Sequence, residues 1–184
     1  MDNVHWDKYY TKNSNPFSPS DFALSMIKNL KINSTLIDIG CGNGRDSLFF
    51  SQRKIKTVGI DQSKIAIENL KSFENKYLNF ENLNILDLNN KIFDYGYCRF
   101  LFHSINEKEE NFLLSWLKKN INHKIFIESR VIDKEKNIIE GDHYRRLMDL
   151  ELFKSKLEDL NLKVLSIETS SKFSVYKDSY NVSD

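Results

Sequence analysis

Three glycines at alternating positions are the first feature of this sequence that could do chemistry. Gly40, Gly42 and Gly44 stand in the stretch LIDIGCGNGRDSLFF, between two apolar runs. This order predicts a strand, a tight turn and then a helix. The free N–H groups at a helix N-terminus favour a negative group, and glycines let the backbone approach a ligand closely. The spacing therefore indicates a ligand site at this turn.

The spacing of the glycines also argues against two kinds of nucleotide site. A dinucleotide site would read G-x-G-x-x-G, and this chain has Arg45 at the position of the third glycine. A phosphate-binding loop would need Gly-Lys followed by Ser or Thr, and the chain has Gly-Arg-Asp at 44–46. The pattern is G-x-G-x-G, which disfavours a nicotinamide or flavin cofactor.

Strands and helices are predicted to alternate along the chain and to position this turn. Strands are expected at 35–40, 56–61, 83–86, 92–99 and 123–131, and helices at 44–53, 63–73, 106–120 and 150–162. Ser18 is expected to cap an earlier helix, with Pro19 at its first position. The alternation predicts a parallel sheet with helices on both faces. Two closing strands, 163–170 and 172–177, leave no room for a crossover helix, so one strand should be antiparallel.

Composition and charge bound the class of protein. The 184 residues are 40% hydrophobic and 29% charged, which is typical of one globular domain with a real core. Because 27 Lys and Arg balance 26 Asp and Glu, no basic field favours nucleic acid. Two cysteines, Cys41 and Cys98, are too few for a disulfide framework or a zinc site. Without a signal peptide or membrane-length apolar run, we expect a cytoplasmic protein with no membrane partner.

Four motifs in order resemble those of class I S-adenosylmethionine (SAM)-dependent methyltransferases. They read LIDIGCGNGRDSLFF, VGIDQS, NILDL and FDYGYCRFLFHSI, within Leu36 to Val131. The resemblance implies an α/β, Rossmann-like fold: a seven-stranded, mostly parallel sheet with one antiparallel strand, helices on both faces and an N-terminal helical segment. It implies one domain over 1–184, with a cap segment (1–34) and a core (35–184). It also implies SAM as the cofactor and S-adenosylhomocysteine (SAH) as the product.

The resemblance assigns cofactor roles to residues of these motifs. Asp61 ends the second predicted strand, where its carboxylate can accept both ribose hydroxyls. The implied set is Asp38, Gly40, Cys41, Gly42, Asp61, Gln62, Asp87, Leu88, Arg99 and Phe100. Alternatives remain: the glycines could serve only a tight turn, Asp38 could bond the loop, and Cys41 could be a small filler. SAM is already an activated donor, so no metal is expected.

A second group of residues is predicted to bind the methyl acceptor. Guanidinium and imidazole groups are concentrated after the fourth and fifth strands, which suits an anionic acceptor because Arg binds phosphate or carboxylate bidentately. The group comprises Trp6, Tyr9, Tyr10, Ser20, Arg99, His103, Arg130, His143, Tyr144 and Arg145. Arg130 would orient the acceptor, and His103 or His143 would act as a general base on a hydroxyl. The alternative is a solvated surface, and for Trp6 an apolar tether.

Shorter motifs resemble a narrower group of proteins. W-x-x-Y-Y at 6–10, ESR at 128–130 and GDHYRR at 141–146 are similar to small bacterial methyltransferases found with capsule and surface-polysaccharide enzymes, including those for the O-methyl phosphoramidate decoration. This resemblance implies O-methylation of a small phosphorylated or sugar-linked acceptor. Two alternatives belong to other classes: a methyltransferase of RNA or protein, and a non-catalytic adenosyl-binding scaffold. The sequence does not define the oligomeric state.

Overall fold

The structure, a computed structural model, describes residues 3–12, 16, 18–132 and 146–169. In these ranges the helices are α1 (Asn3–Lys12), α2 (Asp21–Met26), α3 (Arg45–Gln52), α4 (Lys64–Leu70), α5 (Glu107–Asn120) and α6 (Leu150–Asp159). The strands are β1 (Thr35–Ile39), β2 (Lys56–Asp61), β3 (Leu78–Asn82), β4 (Phe93–Arg99) and β5 (Ile121–Glu128). None of the described helices is long and apolar enough to cross a bilayer.

The five strands form one parallel sheet in the order β3-β2-β1-β4-β5. In the central strand β1, Ile37 lies opposite Val58 of β2 and Gly96 of β4. The chain leaves β1 towards β2 and β3, then crosses to β4 on the other side of β1. The strand order therefore reverses at the carboxyl end of β1, where ligands of such sheets bind. The predicted Rossmann-like α/β fold is confirmed.

Each face of the sheet is covered by its own apolar core, because successive strand residues point to opposite faces. Leu36 packs on one face with Phe49 and Phe50 of α3. Its neighbour Ile37 packs on the other face in a cluster that includes Leu113 of α5. The two cores fix the carboxyl edge of the sheet, which carries the glycine turn.

The third strand was predicted at the wrong residues. Strand β3 is Leu78–Asn82 rather than 83–86, and Phe80 lies opposite Gly59 of β2. The apolar run at 83–86 instead leads into a 3₁₀ turn, because the side chain of Asn84 accepts a hydrogen bond from the N–H of Leu86 at 2.9 Å. A short apolar run alone does not distinguish a strand from a capped turn.

The predicted seven-stranded sheet with one antiparallel strand was also wrong: the described residues form five strands, all parallel. Residues 163–169 are not a strand, and Leu165 is 65% exposed. An isolated strand is unstable without a partner. The segment 172–177, predicted to pair with it, lies outside the described residues.

The predicted cap of α2 was two residues early. Ser20, rather than Ser18, is the N-cap, and its hydroxyl accepts a hydrogen bond from the N–H of Ala23 at 3.1 Å. Pro19 therefore precedes the helix. The same hydroxyl donates to Asp46 of α3, so a tertiary contact decides between two candidate serines.

Candidate functional site

The turn between β1 and α3 adopts the backbone that the glycines predict. Gly40, Gly42 and Gly44 have φ of +75°, +57° and +71°. At Gly44 a Cβ would come within 2.8 Å of the Leu70 side chain, so this glycine allows α3 to pack against α4. At Gly42 a Cβ would collide with the hydroxyl of Tyr10 on α1. The absence of a side chain at Gly42 thus lets α1 approach the backbone of the turn closely.

Asp61, at the end of β2, lies directly beside the glycine turn. Its Oδ2 accepts the N–H of Gly42 at 3.0 Å, and its Oδ1 accepts the N–H of Ser63 at 2.8 Å. Burial raises the pKa of Asp61, while these two backbone hydrogen bonds act in the opposite direction. A carboxylate is thereby held next to Gly42, as an adenosyl site requires.

Asp38 lies on β1 beneath the same turn. It is 2% exposed, and its Oδ2 accepts the hydroxyl of Ser47 on α3 at 2.6 Å. This geometry agrees with the alternative that Asp38 bonds the local structure, and its predicted cofactor role stays a prediction. Burial raises the pKa of Asp38 to about 7, although the hydrogen bond from Ser47 opposes the shift.

The ends of β4 and β5 bring a second group of charged residues together. Nε of Arg99 lies 2.6 Å from Oε2 of Glu128. The guanidinium carbons of Arg99 and Arg130 lie 4.2 Å and 5.5 Å from the ring centroid of Phe100. Phe100 has a φ of +54°, which is uncommon for a bulky residue, and its N–H donates to the carbonyl of Glu128 at 2.8 Å. Burial and the charge of Arg99 lower the pKa of Arg130.

The family model described as a methyltransferase domain matches residues 30–180 of the chain, which include both groups. The chain belongs to this methyltransferase domain family. It is a SAM-dependent methyltransferase, as the four motifs predicted. No curated protein matches the sequence.

Solved structures of other methyltransferases share the fold at low identity. Magnesium protoporphyrin IX methyltransferase from Synechocystis PCC 6803 with bound SAH has a TM-score of 0.68 at 14% identity, covering 83% of this chain and 75% of that one. The 1,6-didemethyltoxoflavin-N1-methyltransferase from Burkholderia thailandensis, also with SAH, has a TM-score of 0.63 at 14% identity, covering 76% and 64%. At such low identity, this structural similarity shows the shared Rossmann-like fold alone.

Asp38 should make the stability of this methyltransferase depend on pH. Its pKa is raised to about 7 in the folded state from an ordinary value of 3.8. Between these values the folded state binds more protons than the unfolded state, so stability falls as pH rises from about 4 to 7. We expect the free energy of unfolding of the wild type to fall by roughly 4 kcal/mol at most across this window, relative to that of Asp38→Asn, in which residue 38 does not titrate. Urea unfolding of both proteins at pH 4 and pH 8 measures this difference, and parallel pH dependence would contradict it.

Several predicted acceptor residues make packing contacts or hydrogen bonds within the protein. On α1, Trp6 stacks with Tyr10 at a centroid distance of 6.0 Å and meets Tyr9 edge-on at 5.9 Å. Tyr10 lies over Gly42 at the glycine turn, and its predicted acceptor role stays a prediction. Ser20 is 3% exposed, and its N–H and hydroxyl both donate to Asp46 at 2.7 Å. This geometry gives Ser20 a role in joining α2 to α3.

His103 does lie beside the Arg99–Arg130 group. It is 5% exposed, and its Nδ1 is 3.3 Å from the hydroxyl of Ser129 and 3.5 Å from the N–H of Arg130. The backbone N–H can only donate, so Nδ1 is placed as an acceptor. His143, Tyr144 and Arg145 lie outside the described residues, and their predicted roles stay predictions.

Three residues of the implied cofactor set, which the methyltransferase resemblance places at the adenine, lie beyond the ends of β2 and β3. The amide oxygen of Gln62 is 3.5 Å from Nδ2 of Asn84. Asp87 is exposed at the end of the 3₁₀ turn, and Leu88 follows it. The turn therefore brings this carboxylate to the same edge of the sheet as Asp61, and its contact with adenine stays a prediction.

Sequence reasoning missed two carboxylates: one contacts a predicted site residue, and the other contacts Ser63, whose N–H donates to Asp61. Glu128 pairs with Arg99, and Asp7 of α1 accepts the hydroxyl of Ser63 at 2.5 Å. The position of Glu128 at the end of a predicted parallel strand was a usable signal, because neighbouring strand ends meet at one edge. Nothing in the sequence around Asp7 indicates its partner, which is 56 residues away.

Proposed function

We propose that this methyltransferase transfers the methyl group of SAM to an oxygen of a small anionic acceptor in bacterial capsule or surface-polysaccharide biosynthesis, in the cytoplasm. The observation that carries the proposal is the pair of guanidinium groups, Arg99 and Arg130, on the ring of Phe100. This pair follows the ends of β4 and β5, on the side of β1 where the strand order reverses. The narrower resemblance of the sequence supports the pathway.

The two guanidinium groups are close enough for each to disfavour the charge of the other. The charge of Arg99 and partial burial both lower the pKa of Arg130. Glu128 acts on both groups, because it pairs with Arg99 and its charge opposes the lowering of the Arg130 pKa, so two guanidinium groups share this carboxylate. An anion bound there would relieve the repulsion between the arginines, and a phosphate or carboxylate matches the fork of a guanidinium.

The backbone at Phe100 supports a binding role for this group. A positive φ in a bulky residue costs of order 1–3 kcal/mol and persists where the surroundings hold it. Here the N–H of Phe100 is held by the carbonyl of Glu128, and the ring receives both guanidinium groups. The strained residue thus orients the aromatic surface on which the arginines are stacked.

The methyl transfer is a displacement at carbon. An acceptor oxygen forms a bond to the methyl carbon, the bond from that carbon to sulfur breaks, and its electron pair stays on sulfur to give SAH. A phosphate or phosphoramidate oxygen already carries charge and needs only to be oriented. A sugar hydroxyl must lose its proton, and Nδ1 of His103 already accepts the N–H of Arg130, so the predicted base for such an acceptor is His143, which lies outside the described residues.

Arg130→Lys is expected to lower methyl transfer by about tenfold or more while leaving SAH affinity within about twofold. Lysine keeps the charge but cannot form the bidentate contact, for which we assign about 1.4 kcal/mol or more. The assay follows labelled methyl transfer to sugar phosphates, phosphoramidates and the corresponding neutral sugars, and calorimetry measures SAH affinity.

Arg53→Lys is the matched control for this substitution. Arg53 also stacks on an aromatic ring, with its guanidinium carbon 3.6 Å from the centroid of Phe49. It lies just after α3, at the end of that helix away from the glycine turn, and it should tolerate lysine without loss of turnover. Equal turnover of the two variants on an anionic acceptor, or a preference of wild type for the neutral sugars, would contradict the proposal.

A further inference from the structure

Helix α1 lies over the turn at which the cofactor is placed. The hydroxyl of Tyr10 is directly above Gly42, close enough to exclude any Cβ there. Burial and the charge of Asp61 raise the pKa of Tyr10 well above its usual value, in keeping with a phenol enclosed between α1 and the turn. In this position, α1 covers the backbone that SAM must approach.

A chain of hydrogen bonds joins α1 to that turn through the start of α4. The hydroxyl of Ser63 donates to Oδ1 of Asp7 at 2.5 Å, and the N–H of Ser63 donates to Oδ1 of Asp61 at 2.8 Å. Asp61 in turn accepts the N–H of Gly42 at 3.0 Å. The residue that caps α4 therefore contacts both α1 and the carboxylate assigned to the ribose.

Part of the attachment of α1 is polar and lies near the surface. Besides the Asp7–Ser63 contact, Nδ2 of Asn69 on α4 donates to the carbonyl of Tyr10 at 3.4 Å in an exposed position. From His5 to Lys12, the side chains of α1 are half-buried or exposed. Segments with little buried apolar area open at low free-energy cost, so one hydrogen bond can control whether α1 is docked.

We propose that Asp7 is a positioning residue that holds α1 closed over the cofactor by accepting the hydroxyl of Ser63, so that this contact must break for SAM to enter and SAH to leave. The proposal rests on the placement of the cofactor at Gly42 and Asp61. It predicts that loss of the contact speeds cofactor exchange without unfolding the core.

The experiment measures SAH release by stopped-flow fluorescence. Trp6 lies on α1 against Tyr10, whereas the other tryptophan, Trp116, is a buried residue of α5, so a signal from closure comes from Trp6. Asp7→Ala should release SAH about fivefold faster or more, since it removes a charge-assisted hydrogen bond. Lys8→Ala, an exposed change on the same helix, should match wild type.

Changes at Ser63 separate the contact from general destabilisation. Ser63→Ala should release SAH as fast as Asp7→Ala, and the double variant should be no faster than either one. Ser63→Thr keeps a hydroxyl at the cap and should restore slow release. Melting temperatures of Asp7→Ala and Lys8→Ala should agree, because α1 contributes little buried area.

The direction in which Asp7→Ala changes the rate of SAH release distinguishes loss of the Asp7–Ser63 hydrogen bond from loss of the Asp7 charge. The charge of Asp7 contributes to raising the pKa of Asp61, so its removal favours the ionised form of Asp61, and this charge effect alone would not speed release. Unchanged or slower release from Asp7→Ala, with wild type binding SAH, would overturn the proposed role of Asp7 alone. Failure of wild type to bind SAH would overturn the cofactor placement on which the proposal rests.

Discussion

Asp61→Ala is expected to weaken SAH binding by about 10- to 150-fold. The ribose hydroxyls lose a charged acceptor worth about 1.5–3 kcal/mol, and every 1.4 kcal/mol is a factor of ten in affinity. The substitution also removes the partner of two backbone N–H groups, at Gly42 and Ser63, so the turn itself is less well held. Calorimetric titration with SAH measures the loss.

Asp94→Ala is the control for this substitution. Asp94 is a half-buried carboxylate whose Oδ2 accepts the N–H and the hydroxyl of Thr35 at 2.8 Å and 3.0 Å. It lies at the start of β4, at the opposite edge of the sheet from the glycine turn. Its loss should lower stability and leave SAH affinity unchanged. Wild-type affinity in Asp61→Ala, or an equal loss in Asp94→Ala, would refute the assignment of Asp61.

Gly42→Val is expected to abolish measurable SAH binding. A β-branched residue at a φ of +57° is strained, and its Cβ would occupy the position of the Tyr10 hydroxyl. The valine side chain would displace α1 and would also fill the space through which the cofactor is predicted to approach the backbone of the turn. Calorimetry gives the affinity, and far-ultraviolet circular dichroism shows whether the sheet and helices remain.

Cys41→Ala is the neighbouring control, because Cys41 is a buried free cysteine in the same turn. Burial raises the pKa of its thiol well above the usual value, so it is not poised as a nucleophile. Alanine should fill most of its volume and keep SAH affinity within a few-fold. If Gly42→Val bound SAH as Cys41→Ala does, the glycine would serve the turn only.

Local signals were enough to predict the elements that hold the glycine turn. β1, β2 and β4 have strongly apolar sequences, and the structure starts or ends each of them within one residue of the prediction. Helix α5 follows its cap at Asn106, where the side chain of Glu109 reciprocally accepts the N–H of the cap at 2.9 Å. Patterns of apolar residues and caps are local, so the sequence displays them directly.

Elements decided by tertiary contacts were not predicted. β3 is selected by pairing with β2, and its sequence LNFEN is no more strand-like than the LNIL that follows. Ser20 caps α2 because Asp46 holds its N–H and hydroxyl, a contact across 26 residues that Ser18 does not make. No local pattern contains such information.

In the candidate site, too, local signals predicted some residues and tertiary contacts decided the positions of others. Gly42 and Asp61 follow from motif and strand ends, and the structure joins them by a hydrogen bond. The position of Tyr10 over Gly42 was not predicted, because the docking of α1 on α4 is a tertiary contact, and its acceptor role stays a prediction. Glu128, absent from the predicted set, pairs with Arg99 and so changes the net charge of the Arg99–Arg130 group.

Calorimetric titration of the wild-type protein with SAM and with SAH tests the central claim most directly. A methyltransferase must bind both the donor and its demethylated product, whereas a scaffold that kept only the fold needs neither. We expect one site per chain for each ligand, with affinity weakened about 10- to 150-fold in Asp61→Ala and unchanged in Asp94→Ala. Binding of neither ligand to the folded wild-type protein would contradict it.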